Sequence, residues 1–181
     1  MADASWSFLR NSGTWDPDAY TIQGNIDSKT CKKTPGGDPS TYCQGMLIGA
    51  LLELASAHKD GSYVNLAKKV AQATMAHPKL TTKNGILQEP FGGFSNDTAQ
   101  FKGIFMRYLM KLHRRVPDAS YVDFATRNAD SIWRNARNKD GTIIVRWEGN
   151  PTNADLSGYS LEVSTSSAEQ CLIAAADMVK G

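Results

Sequence analysis

The chain has 181 residues, enough for one domain, 1–181, with a sizeable core. Its net charge of +2 and pI near 8.4 are mild, and Lys and Arg are scattered along the chain, which argues against nucleic acid as a partner. No stretch is long and apolar enough to span a membrane, and the start, Met1-Ala-Asp-Ala-Ser-Trp6, lacks the basic segment and apolar core of a signal peptide.

Residues 2–11 read as the end of a helix, with Asn11-Ser12-Gly13 as its stop. A domain rarely opens on so short a helix, so further chain is expected upstream. Residues 15–40 carry Pro17, Pro35, Pro39 and Gly36-Gly37 with little periodicity, and read as a long loop. Two of the three cysteines lie near this loop. Either Cys31 and Cys43 bridge, or all three thiols stay reduced, with Cys171 buried in a helix.

Residues 41–58 form a second helix. Met46, Leu47, Ile48, Leu51, Leu52 and Leu54 point in nearly all directions among small residues, the pattern of a buried helix. Residues 63–76 are amphipathic, with Leu66 and Val70 on one face and Lys68, Lys69 and Gln72 on the other, so this is an outer helix that ends at His77-Pro78. Residues 80–95 combine a short extended segment around Asn84-Gly85-Ile86-Leu87 with a Gly-rich loop whose spacing fits no phosphate cradle.

Residues 96–115 read as the central helix, opened by Asp97-Thr98-Ala99-Gln100 as a capping box with Asp97 at the N-cap. Phe101, Ile104, Phe105, Tyr108, Leu109 and Leu112 recur at helical spacing, and Met106 and Met110 widen the apolar arc past half the circumference. Lys102 falls inside that arc, where an unpaired ammonium is costly. Residues 118–136 are again an outer helix. Residues 141–147 are β-branched and read as a strand, paired with 84–88 in a two-stranded ribbon. After a polar loop at 148–159, residues 166–179 close the chain as a third buried helix.

Buried and outer helices therefore alternate, as in an all-α, α/α toroid with an inner ring wrapped by an outer one; an irregular helical bundle is the other arrangement the pattern allows.

Several blocks resemble glycoside hydrolase family 76, the endo-α-1,6-mannanases and their fungal cell-wall relatives. They are Ser5-Trp6 through Ser12-Gly13, Thr41-Tyr-Cys-Gln-Gly-Met-Leu-Ile-Gly-Ala-Leu-Leu-Glu-Leu54, 80–89, the block Asn96-Asp-Thr-Ala-Gln-Phe-Lys-Gly-Ile-Phe-Met-Arg-Tyr-Leu109, and 128–138. The chain has Cys43 where family members usually have Asn. The resemblance implies half of an (α/α)6 barrel, the C-terminal half, with the site at the mouth of the inner ring. It also implies an extracellular or cell-wall location and an α-1,6-mannan-type glycan as ligand. The family's catalytic pair is two adjacent aspartates in the other half. This chain contains no Asp-Asp, and its nearest pair is Asp16-Pro17-Asp18 in a loop.

Glycoside hydrolysis ordinarily needs two carboxyl groups, so no catalytic residue is assigned. The candidate substrate-binding residues are Tyr42, Gln44, Asp97, Lys102 and Trp147. Asp97 reads first as an N-cap, and the resemblance adds a place near the sugar. Gln44 is either a hydrogen-bonding strut or a sugar ligand. Lys102 is expected to pair with a carboxylate such as Glu53 or Asp97, and Trp147 either stacks on a sugar or fills the core. Asn96-Asp97-Thr98 is a glycosylation sequon, meaningful in a secreted chain. His58, His77 and His113 have no metal-ligand spacing, so neither metal nor cofactor is assigned. Two readings stand: a mannanase relative inactive as this chain, or a non-catalytic glycan- or protein-binding module. Three inner helices, at 41–58, 97–115 and 166–179, leave two open apolar flanks, to be covered by a second copy in a homodimer, by a complementary half-barrel chain, or by inward collapse into a compact bundle with loop 15–40 folded over the gap.

Overall fold

Helices form where amphipathic or wholly apolar periodicity was read, and their packing order follows the alternation. The computed structural model describes residues 2–34, 36–149 and 157–180. Its helices are α1 (Ala2–Asn11), α2 (Thr41–His58), α3 (Gly61–Ala76), α4 (Phe101–Arg115), α5 (Ala119–Ser131) and α6 (Leu161–Lys180). A 3-10 turn, Thr98–Gln100, leads into α4, and a π-helical turn, Ile132–Ala136, extends α5. The carboxylates of Asp60 and Asp118 accept from the backbone N–H of Ser62 and Ser120, capping the two outer helices α3 and α5.

Helix α4 lies between α2 and α6, with α3 packed on α2 and α5 on α6. The three inner helices run parallel: Gly45 and Gly49 of α2 meet Phe105 and Tyr108 of α4, while Gly103 and Arg114 of α4 meet Ser167 and Asp177 of α6. Two glycines set how closely they approach. A Cβ on Gly45 would stand 2.7 Å from the Phe105 Cα, and one on Gly103 would stand 2.6 Å from the Ser167 carbonyl oxygen. Both sit in the blocks that carry the family resemblance, so those blocks encode helix–helix seams as well as any site. The core runs along the seams through Ile48, Leu51, Phe105, Met106, Leu109, Leu112, Ala168 and Cys171.

The structure corrects several local expectations. Asp97 does not cap α4: it makes no capping bond, and Ser95 and Thr98 instead exchange side-chain bonds with each other's backbone N–H at 2.8 and 3.2 Å. Antiparallel pairing is present, but within the supposed loop. There β1 (Trp15–Asp16) pairs with β2 (Thr21–Ile22), and β3 (Ile26–Asp27) pairs with β4 (Lys32–Lys33). The expected ribbon between 84–88 and 141–147 does not form. Each segment instead bridges locally, Thr81 to Leu87 and Arg137 to Ile143, because each lies on the helices beneath it. Backbone donors in both segments are satisfied from those helices, Leu87 by Asn128 and Ile143 by Thr165. All three cysteines are free, Cys31 on the surface and Cys43 half-buried, so no bridge closes the loop. The last helix starts at Leu161, and most of the loop expected at 148–159 lies outside the described residues.

Helices α2 and α6 are not buried all round. Met46 of α2 is 54% exposed, and Ile173 and Val179 of α6 are 62% and 65% exposed. Helix α1 and the β1–β2 hairpin cover part of the α2 flank, bringing Trp6, Trp15 and Ile22 against Leu47. They leave an apolar groove of about 380 Å³ lined by Trp6, Leu9, Leu47, Ala50, Glu53 and Ala57. A second concavity of about 290 Å³ shares Leu9, Leu47 and Ala50 and reaches Tyr42. Among the described residues no helix is long and apolar enough to cross a membrane.

Candidate functional site

Because the inner helices are parallel, their N-terminal ends gather at one end of the molecule. The loops before α4 and before α6 cover that end. Here Tyr42, on the first turn of α2, lies against Phe101 on the first turn of α4 with ring centroids 4.1 Å apart, and Phe91 meets Phe101 edge-on at 6.1 Å. Phe94 meets Tyr159 at 6.4 Å, and the Arg146 guanidinium lies 5.6 Å over the Phe94 ring. Tyr42 and Phe91 are half-buried and Asp97 is exposed, so this end offers aromatic surface beside a carboxylate. A hydrogen bond with the Cys43 side chain, together with burial, pushes the Tyr42 phenol above the ordinary tyrosine range, so it stays protonated and able to donate.

Beneath this surface lies a buried charged pair. Lys102 is 2% exposed, and its ammonium donates to the carbonyl of Val145 and sits 4.6 Å over the Trp147 ring. Burial pushes its pKa down to about 8, against the attraction of Glu148 and Glu89. Glu89 is 4% exposed, and both its carboxylate oxygens accept from the Thr41 backbone N–H at 3.3 Å; one also accepts from the Thr41 hydroxyl. Burial pushes the Glu89 pKa up to about 7, opposed by these bonds and by Lys102. Ser40, at the N-cap of α2, makes no side-chain capping bond, so Glu89, 48 residues away in sequence, satisfies the start of that helix.

The five residues singled out from sequence separate into three places. Tyr42 and Asp97 reach the open end. Lys102 and Trp147 lie under it; Trp147 is fully buried, with its backbone carbonyl held by Ser131 at 2.8 Å, so it is core and not a stacking surface. Gln44 is also fully buried: its amide accepts from Ile22 N at 2.9 Å and donates to Ile22 O at 2.7 Å and Ser40 O at 3.0 Å, clamping β2 to α2. Gln44 is thus a strut, not a sugar ligand. Lys102 pairs with neither Glu53, which is exposed on the far flank of α2, nor Asp97; Glu148 and Glu89 face it instead. Asp16 binds the backbone N–H of Asp18 and Ala19 at 3.0 and 2.9 Å, a turn-forming role.

Sequence reasoning missed Glu89, Phe91, Arg146 and Glu148. None stands in a periodic element, and only contacts across the fold give them meaning. Glu89 lies within a block already matched to the family, which was the one signal available. Glu89 is sealed under the loop, and the half-buried carboxylate of Glu148 pairs with Arg146 at 3.6 Å.

Solved structures share this architecture. The Lin0763 protein from Listeria innocua is 22% identical with a TM-score of 0.76, covering 98% of this chain and 48% of that one. The GH76A alpha-1,6-mannanase from Salegentibacter sp. HEL1_6 is 25% identical with a TM-score of 0.76, covering 97% and 51% respectively. An inactive variant of that enzyme, with two consecutive aspartates replaced by alanine, was solved with alpha-1,6-mannotetrose; it is 26% identical at a TM-score of 0.68, covering 93% and 51%. This chain thus spans about half the length of the structures it matches. No curated protein matches it. The fold is half of an (α/α)6 toroid, and the match to the family described as glycosyl hydrolase family 76 runs over residues 1–180: the chain belongs to that family.

Proposed function

We propose that this chain binds α-1,6-mannan-type glycans at the open end of its inner helices, and that alone it does not hydrolyse them. The observation that carries the reading is the convergence of Tyr42, Phe91, Phe101 and Asp97 at the N-terminal ends of parallel inner helices in a family 76 fold. Half-buried aromatic rings beside hydrogen-bonding groups are the chemistry that takes a sugar ring. The relative from Salegentibacter was solved with alpha-1,6-mannotetrose, and its variant lacking two consecutive aspartates is inactive; this sequence has no consecutive aspartates. Such a chain works at a cell wall or in the extracellular space, where these glycans are exposed.

The exposed stripes Met46, Ala50 and Ala57 on α2 and Ile173 and Ala176 on α6 favour a second feature: self-association across the two open flanks. A separate chain carrying the complementary half-barrel is the other occupant.

Titration of the folded protein with α-1,6-mannotetraose by calorimetry, beside an assay for released reducing ends, tests the reading. Saturable binding that is lost in Tyr42→Ala, with no reducing ends released, is expected. No binding by folded protein rejects the ligand, and release that stops on substituting a carboxylate of this chain rejects the non-hydrolytic half.

A further inference from the structure

The carboxylate of Glu89 joins the loop before α4 to the start of the inner helix α2. Its partner is not a neighbour in sequence, and it is not an ordinary surface cap. Thr41 offers it the backbone N–H and the hydroxyl together, and the free N–H groups of the first turn of α2 add a positive end to the helix. Tyr42 is the next residue along. Where Thr41 is held, the Tyr42 ring is held against Phe101, and Phe101 against Phe91. Glu89 itself carries Phe91 two residues further on. A single carboxylate thus ties together the two elements that bear the aromatic surface, from beneath and out of contact with solvent.

We infer that Glu89 is a positioning residue: its carboxylate, in the ionised form, locks Thr41 and so orders the Tyr42–Phe101–Phe91 surface, which makes glycan affinity at this end dependent on pH. The inference rests on the glycan-binding reading above for its effect on affinity, but not for the lock itself. Protonation removes the charge that faces the helix N-terminus and leaves the Thr41 N–H with a neutral acceptor in place of a carboxylate. The other groups that face the Glu89–Lys102 pair are few. Tyr42 and Cys43 stand on α2, with Asp97 acting on Tyr42; Glu148 and Arg146 lie on the loop before α6, and Cys171 on α6. Burial pushes the thiols of Cys43 and Cys171 and the phenol of Tyr42 upward, so none of these three titrates on the acid side of neutrality. Burial raises the pKa of Glu89 to about 7 while the Thr41 bonds oppose the rise, so the carboxyl changes charge near neutrality.

The experiment follows two readouts across pH, from well below 7 up to the value of about 8 at which Lys102 is half deprotonated. One is the affinity for α-1,6-mannotetraose. The other is hydrogen exchange at the Thr41 amide, corrected for the intrinsic effect of pH and independent of any glycan. Loss of one charge-assisted hydrogen bond at the acid end is expected to weaken binding about tenfold and to cut Thr41 protection by a similar factor. Glu89→Gln is expected to flatten both profiles near the acid-end value. If Glu89→Gln does not fold, Thr41→Val removes the hydroxyl, keeps the amide and is expected to shrink both changes. Flat profiles in the native protein, or an unchanged slope in Glu89→Gln or Thr41→Val, overturn the inference. If the folded protein binds no glycan at any pH, the functional reading fails and the Thr41 amide alone decides: a slope abolished in Glu89→Gln supports the lock, and no slope rejects it.

Discussion

The seams of α4 and the outer flanks of α2 and α6 are built from the same kinds of residue and meet opposite environments. Phe105, Met106, Leu109 and Leu112 of α4 are fully buried, whereas Met46 of α2 and Ile173 of α6 are more than half exposed. An apolar circumference says that a helix is to be packed, but not by what. Helix α4 finds neighbours on both sides within the chain. Helices α2 and α6 each find one inner neighbour, α4, and α1 with the β1–β2 hairpin covers the other flank of α2 only in part. The seams are also where small residues are needed, and on the flanks nothing selects them.

The sharpest test of this contrast is a single methyl group. Gly45→Ala places a Cβ against the backbone of Phe105 and Ile104, which cannot yield as a flexible side chain would. Overpacking costs up to about 3 kcal/mol, and the gain in helix propensity returns about 1 kcal/mol, so a net loss of up to about 2 kcal/mol is expected in denaturant unfolding. Met46→Ala, one residue along but on the open flank, is expected to change stability by no more than about 0.5 kcal/mol in the isolated chain. Equal effects at the two positions would erase the distinction between seam and flank.

Lys102 probes the same seam through charge. Lys102→Ala removes the cation that attracts Glu89 and leaves the Val145 carbonyl without its donor, and should cost about 1–3 kcal/mol. Unchanged stability would show that the buried ammonium is dispensable to the seam.

Glu89 makes a prediction with a definite sign. Its pKa is raised in the folded state, from 4.5 to about 7, so the unfolded chain ionises first as pH rises. The stability this group contributes is complete below its unfolded pKa and is lost as pH climbs through the folded one, a change of about 3 kcal/mol. Asp27, Asp60, Asp118, Asp140 and Asp177, all held low by hydrogen bonds, act in the opposite direction. The difference between Glu89→Gln and the native protein isolates the term: Glu89→Gln should gain relative stability between pH 4.5 and about 7. A difference that is flat or falls across that range would refute the sign. Ionisation thus costs global stability while fixing one helix start, a trade common at functional positions.

The smallest expected effect on fold stability is on the flanks, and its readout is mass. Light scattering should show a dimer that dissociates on dilution, and Met46→Lys with Ile173→Lys should shift it to monomer without altering the unfolding of the monomer. A stable monomer at all concentrations that binds no hydrophobic dye would remove self-association.

Helix positions, the buried–outer alternation and the toroid class were legible because periodicity is a property of neighbours in sequence, read directly from 41–58, 63–76 and 96–115. The burial of Lys102 was legible for the same reason: it sits inside an apolar arc. The family was legible because Tyr42-Cys-Gln-Gly45 and Phe101-Lys-Gly-Ile-Phe105 place glycines and aromatics at fixed spacing, and the structure gives those glycines a role at the seams. Partnership was not legible. Gln44 and Trp147 each read either as a sugar contact or as part of the fold and are held inside it, while Asp97 yields its capping role to the flanking Ser95–Thr98 pair. The β-branched run at 141–147 had the composition of a strand, yet its backbone is satisfied from α6 and from local bridges. Glu89 carries no local mark at all. Its role depends on Thr41, 48 residues earlier, and on Lys102 brought alongside by α4. Sequence determines what each segment needs, an apolar neighbour, a cap or a counter-charge; only the tertiary structure decides which distant group supplies it, because a buried polar atom is satisfied by whatever the packing of helices places within reach.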